Sequence, residues 1–221
     1  MRGYYITHPQ IVMDPALPVP QWGLSGTGRA RLEAICDRAW VLSLTRIFSS
    51  DEKKAVETAE ILAGCSGCPI EINARMGEND RSSTGFLPPH EFEKAAGRFF
   101  AEPELSFRGW ERAVDAQSRI VGAVNSALAR YPLGGPVAFV GHGGVGTLLK
   151  CHLAGNPITR DRDQPPGGGN IFAFRLSDRA LLCDWEPMEQ IQEKCEAVFP
   201  GKTGTVFPAD LRNNEPKDNQ R

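Results

Sequence analysis

Apolar positions along the chain follow two periods. Short alternating or continuous apolar runs occur at Gly3 to Thr7, Leu44 to Ser49, Pro69 to Ile72, Pro136 to Gly141, Asn170 to Leu176 and Ala180 to Trp185, each of strand length. Between them the spacing lengthens to that of a helix. Leu32, Ile35, Cys36 and Ala39 recur at i, i+3, i+4, i+7, and Val56, Ala59 and Leu62 mark a second helix after Ser50. Trp110, Ala113, Val114, Ile120, Val121, Val124 and Leu128 trace a longer third one. Strands alternating with helices predict an α/β fold with a mostly parallel sheet, because parallel neighbours need a crossover between them. Only Ser177, Asp178 and Arg179 separate the last two strands, which predicts an antiparallel hairpin at the sheet edge.

Two stretches break the alternation. Glu78 to Ser106 holds Pro88-Pro89, Phe86, Phe92, Phe99 and Phe100 without a strand signal, and reads as a partly helical insertion over about 78–108 that forms a lid. Residues 187–221 become polar and Pro/Gly-punctuated after Phe199, and read as an extension to a domain spanning 1–186. At 221 residues, 41% hydrophobic and 24% charged, the chain can bury a core without staples. Its 25 Lys plus Arg against 27 Asp plus Glu give a net charge of −2, which argues against nucleic acid as a partner. No apolar run approaches the ~20 residues that cross a bilayer, and the first residues lack the apolar core of a signal peptide, so a cytoplasmic protein without a membrane partner is expected. The six scattered cysteines are then read as reduced thiols. No heptad pattern marks a dimer seam on the helix from Trp110 to Arg130 or on the tail, and a homo-oligomer is left open.

Three glycine or cysteine motifs have bland readings. Gly141-His142-Gly143-Gly144-Val145-Gly146 matches G-x-G-x-x-G between a strand and a helix, but that fingerprint opens a dinucleotide fold, and only about 75 residues follow it here. Cys65-Ser66-Gly67-Cys68 trails a helix, whereas a redox C-x-x-C begins one, and no second pair supports zinc. It is expected to be a turn with two incidental thiols. Pro165-Pro166-Gly167-Gly168-Gly169 reads as a tight connection that also permits close backbone approach to a ligand.

Chemistry converges on two histidines. His8 follows Tyr4-Tyr5-Ile6-Thr7 and His142 follows Val137-Ala138-Phe139-Val140-Gly141, so both sit at the carboxyl ends of predicted strands, where open α/β sheets bind ligands. The strand ending at Ser49-Ser50 leads into a helix carrying Lys54, which brings a cation and a helix N-terminus to the same edge.

Thr7-His8, Trp22-Gly23-Leu24-Ser25-Gly26-Thr27-Gly28, Ser49-Ser50-Asp51-Glu52-Lys53-Lys54-Ala55-Val56-Glu57-Thr58-Ala59 and Gly141-His142-Gly143-Gly144 resemble, in order and spacing, the blocks of the histidine phosphatase (phosphoglycerate mutase-like) superfamily. The resemblance implies a three-layer α/β/α sandwich with its site above the C-terminal strand edge. It also implies that His8 attacks phosphorus, that His142, Lys54 and a Thr7 hydroxyl hold the phosphate oxygens, and that a carboxyl protonates the leaving oxygen. Arg75-Met76-Gly77-Glu78-Asn79-Asp80-Arg81 resembles the segment that supplies this acid, with Glu78 fitting and Asp80 competing. Such a mechanism uses neither metal nor cofactor. The departures are specific: the family has Arg-His-Gly, a hydroxyl residue and Asn where this chain has Thr7-His8-Pro9, Ile11 and Asp14, and Lys54 replaces its second arginine. If all three replacements faced the site, its charge would fall by roughly two units, with Arg75, Arg81 or Arg2 left to compensate. The expected activity is therefore metal-independent hydrolysis of a small phosphomonoester, the alternative being a weakened or inactive member that binds a phosphorylated ligand or a protein. A phosphoglycerate mutase is a weaker reading, because the aromatic lid residues Phe86, Phe99, Phe100 and Phe107, with Leu87, suit a less charged leaving group.

Overall fold

The computed structural model describes residues 1–131 and 134–191. All six expected strands are present: β1 (Arg2–Thr7), β2 (Arg46–Ser49), β3 (Ile70–Ile72), β4 (Val137–Gly141), β5 (Asn170–Arg175) and β6 (Leu181–Pro187). They form one sheet in the order β3-β2-β4-β1-β5-β6. The first four are parallel, and β5 and β6 add the antiparallel edge. Their alternation sorts side chains by face. Tyr5, Phe48, Phe139, Phe172 and Phe174 pack into one buried layer, while Tyr4, Ile6, Ile47, Ala138, Val140, Ile171 and Ala173 pack into the other.

Helices cover both faces, completing the α/β/α sandwich. On the second face lie α1 (Gly26–Glu33), the single turn α2 (Ala39–Leu42) and α3 (Lys53–Ser66), through Leu32, Val41, Ala55, Ala59 and Leu62. On the first lie α4 (Pro89–Ala101), α5 (Ala113–Arg130) and α6 (Gly143–Leu153). One helix expected across Leu32 to Ala39 is instead two. After Glu33 the amides of Ile35, Cys36 and Arg38 bond three residues back, which tightens the backbone yet keeps Leu32 and Ile35 fully buried. The lid insertion is helical at α4, where Pro89 supplies a first-turn φ that suits a helix and Phe99 and Phe100 face inward.

The cysteine expectation is corrected at Cys36, Cys65 and Cys183, which are all disulfide-bonded. Cys36 and Cys65 form a disulfide, with Cα atoms 5.4 Å apart, that ties the α1–α2 connection to the end of α3. Cys65 is therefore not an incidental thiol, whereas Cys68 and Cys151 are free. The reduced-thiol reading, which followed from the expected cytoplasmic address, therefore fails at Cys36, Cys65 and Cys183. Among the described residues no helix is long and apolar enough to cross a membrane. Of the expected extension, residues 187–191 are described, with Met188 and Ile191 buried in the second layer, and its remainder lies outside the described residues.

Candidate active site

Parallel pairing of β1 with β4 sets Thr7 opposite Gly141, so the next residue of each strand reaches the same edge. The His8 amide donates to the Gly141 carbonyl at 3.1 Å, and the two imidazole rings lie 5.4 Å apart between centroids. They open into a cleft of about 820 Å³ that Lys54, Glu78, Asn79, Arg81 and Gln164 also line. The lid residues Phe92, Ala96, Phe99, Phe100 and Trp110 form its outer wall.

His8 is fixed in one tautomer. Its Nδ1 lies 2.9 Å from the Pro9 carbonyl, which can only accept, so Nδ1 carries the proton and Nε2 carries the lone pair. Burial, and then the neighbouring His142, push this imidazole down to about 3, so it is neutral near pH 7. The Pro/Gly connection closes over it: Gly169 N–H donates to the His8 carbonyl, and Gly168, at φ +64°, comes so near that a Cβ there would lie 2.5 Å from that oxygen. Pro165, Pro166 and Gly167 line the cleft itself.

His142 N-caps α6 and is 1% exposed. Its Nε2 faces Ser50 Oγ at 2.9 Å and Glu52 Oε1 at 3.3 Å, while its Nδ1 has no partner among the described residues. Burial lowers its proton affinity, against the pull of Glu52 and Glu78. Glu78 occupies the α6 N-terminus, its carboxylate accepting from Gly144 N–H and Val145 N–H, both at 3.0 Å. Gly144 permits this approach, since a Cβ there would stand 2.7 Å from Glu78 Oε1. Burial alone would raise the Glu78 carboxyl, but Arg81, His142 and the Asn79 amide outweigh it and hold the group below its usual range. Asp80 points elsewhere, accepting from the amide of Ser82, and does not line the cleft.

Other sequence candidates lie as follows. Thr7 is buried, donates its hydroxyl to Gln164 Oε1 at 2.7 Å and is not a cleft-lining side chain, so it braces a residue that is. Lys54 lines the cleft, but its ammonium is ion-paired with Glu52 and donates to the Val19 carbonyl at 3.1 Å. Glu52 is thereby pulled down to about 2, because Lys54, His142 and the Glu78 amide outweigh its burial. Asp14 accepts from the Ala16 amide outside the cleft, Arg2 begins β1 at the opposite end of the sheet, and Arg75 is likewise not a lining residue. Arg81 alone of the three proposed compensating arginines lines the cleft.

Sequence reasoning missed Glu52 as a partner of Lys54 and His142, and missed the brace beneath Glu78. Arg119 on α5 donates to the carbonyls of Arg75, Gly77 and Glu78 and is ion-paired with Glu111. Arg119 lies far along the chain from those carbonyls and His142 from Glu52, while Glu52 and Lys54, two residues apart, match no helical pairing rule, so neither feature left a local signal.

The sequence profile of the histidine phosphatase superfamily (branch 1) matches residues 19–182, more than half of the chain. The chain belongs to the histidine phosphatase superfamily. Among curated histidine phosphatase relatives, it is 28% identical over 152 residues to a probable phosphoglycerate mutase GpmB of Salmonella choleraesuis (strain SC-B67), a match spanning 63% of this chain and 66% of that protein. A solved structure of Bacillus stearothermophilus YhfR superposes with a TM-score of 0.70 at 23% identity, covering 84% of this chain and 96% of the other. The native mycobacterial glucosyl-3-phosphoglycerate phosphatase gives 0.67 at 22%, covering 84% and 95%. These two superpositions establish a shared fold.

Proposed function

We propose that this chain hydrolyses a small phosphomonoester through a phosphohistidine, with no metal or cofactor in the reaction. His8 Nε2 attacks phosphorus, the bond to the leaving oxygen breaks, and a protonated Glu78 gives that oxygen its proton. Water then attacks the phosphohistidine and loses a proton to Glu78, releasing phosphate and free His8. His142 and Lys54 border the phosphoryl group, and Thr7 acts through Gln164. Glu78 rests as a carboxylate, so a phosphoester arriving as its monoanion supplies the first proton.

One observation carries the reading: an imidazole at the strand edge with Nδ1–H locked on the Pro9 carbonyl and an unprotonated Nε2 at neutral pH. The names of the relatives include both mutase and phosphatase. A cleft walled by Phe92, Phe99, Phe100 and Trp110 supports the phosphatase, since a bisphosphorylated acid would need more unpaired cations than it offers: Lys54 and Arg160 are already ion-paired with Glu52 and Glu93. The rival reading, a non-catalytic binder of phosphorylated ligands, draws on Lys54, whose charge Glu52 already neutralises.

Hydrolysis of an aromatic phosphate ester with EDTA present separates the two. Turnover is expected in the wild type, to fall by ~10³-fold or more in His8→Ala, and by ~10²-fold or more in Glu78→Ala. Activity surviving in His8→Ala would overturn the nucleophile assignment. No wild-type turnover, with phosphate still raising thermal stability, would establish the binder.

A further inference from the structure

Three cations line the cleft, Lys54, Arg81 and Arg160, and their partners differ. Lys54 is neutralised by Glu52, with both residues buried. Arg160 is ion-paired with Glu93 and lies 3.7 Å from Asp163. Arg81 forms no ion pair among the described residues; its guanidinium lies 5.0 Å from the Phe92 ring centroid and 5.8 Å from that of Trp110. A guanidinium whose charge is met by aromatic rings and not by a carboxylate keeps N–H groups free for an anion. Beside it, Asn79 is 7% exposed, and its Nδ2 has no partner among the described residues. A buried amide left unpaired is destabilising, and Asn79 is among the residues that line the cleft.

We propose that Arg81 and Asn79 form the anion clamp of this site, taking the non-bridging oxygens of the phosphoryl group in place of the arginine that position 7 lacks. The assignment rests on the phosphoryl-binding reading above. The clamp is braced in advance: Asp80 N–H donates to Glu111, which Arg119 also holds, and Arg119 fixes the carbonyls of Gly77 and Glu78. Placing the cation three residues after Glu78 couples binding to proton transfer. Arg81 is the main charge holding Glu78 ionised. Once Arg81 engages the phosphoryl oxygens, that hold weakens and the phosphate's own charge favours the protonated acid that the leaving oxygen needs.

Calorimetric titration with inorganic phosphate at neutral pH tests this, together with the phosphate-induced rise in Tm and the ester assay. Arg81→Met and Arg81→Lys are each expected to weaken phosphate by about tenfold or more, because a lysine restores charge but not the fork. Asn79→Ala should weaken it by about threefold or more. Both losses should exceed that in the double variant Glu52→Gln/Lys54→Met, which removes an internally neutral pair. Arg81 variants that bind phosphate like the wild type, or lose less than the double variant, would overturn the clamp. A purely structural Arg81 would lower the Tm without phosphate and leave the phosphate-induced rise intact, and that outcome also overturns it. Wild-type hydrolysis with Arg81-independent KM removes the clamp and spares the phosphatase. Arg81-dependent phosphate binding without wild-type turnover spares the clamp and removes the phosphatase, and absence of phosphate binding in the wild type removes the clamp outright.

Discussion

At the scale of single residues, the site pairs Lys54 with Glu52 and pushes both of its histidines toward the neutral form, and both choices tie stability to pH. An exposed histidine titrates near 6.5, whereas His8 in the folded chain does so at about 3, and His142 is also lowered. Between those values the unfolded chain binds protons that the folded chain refuses. Stability is therefore fully present above about pH 6.5 and declines as pH falls toward 3, by about 1.4 kcal/mol per pH unit for His8, with His142 acting in the same direction. Glu52, held at about 2, acts with the same sign below its ordinary range. Urea unfolding from pH 7 to pH 4 should show this decline, and His8→Asn should flatten it; an unchanged slope in that variant would place the dependence elsewhere. The same pairing explains why Lys54 is misleading in sequence. It occupies the helix position where the family carries an arginine, but its charge is spent on Glu52, two residues earlier, and no helical spacing brings i and i+2 together.

At the scale of elements, strand ends and helix starts do most of the positioning. The six strands were legible because their apolar runs are short and bounded by turns, and the convergence of His8 and His142 followed from parallel pairing alone. The α1–α2 break was not legible, since bonds to the third residue back and bonds to the fourth back bury the same residues there. The glycine motif is now explained without a dinucleotide: His142 caps α6, and Gly144 leaves room for Glu78 to take the helix's first free amides. Gly144→Ala would put a methyl 2.7 Å from Glu78 Oε1, against a carboxylate that Arg119 holds from behind through its backbone. The carboxylate must leave the helix N-terminus, so kcat for ester hydrolysis should fall by about tenfold or more while phosphate affinity changes less. Equal losses in kcat and phosphate affinity would mean that the helix start, and not Glu78, had been displaced.

At the scale of the whole molecule, the chemistry and the fastening lie at opposite ends of α3. Its first turn carries Lys54 to the cleft, and near its other end Cys65 is bridged to Cys36. The pattern reading took every cysteine as a thiol because six scattered cysteines make no disulfide scaffold, and a spacing of 29 residues carries no signature of its own. A bridge closing a loop of that length removes unfolded-chain entropy worth about 3–4 kcal/mol. For a chain of this size each kcal/mol shifts the Tm by about 2–4 °C, so the double variant Cys36→Ser/Cys65→Ser should melt about 10 °C lower. The free Cys68 and Cys151 and the disulfide-bonded Cys183 are unchanged in both proteins, so the comparison isolates the Cys36–Cys65 bridge. Because the bond joins elements on the face of the sheet opposite the lid, ester hydrolysis at temperatures well below either Tm should be unchanged. Loss of activity without loss of Tm would instead mean that the bridge holds α3, and with it Lys54 and Glu52, in register with His142.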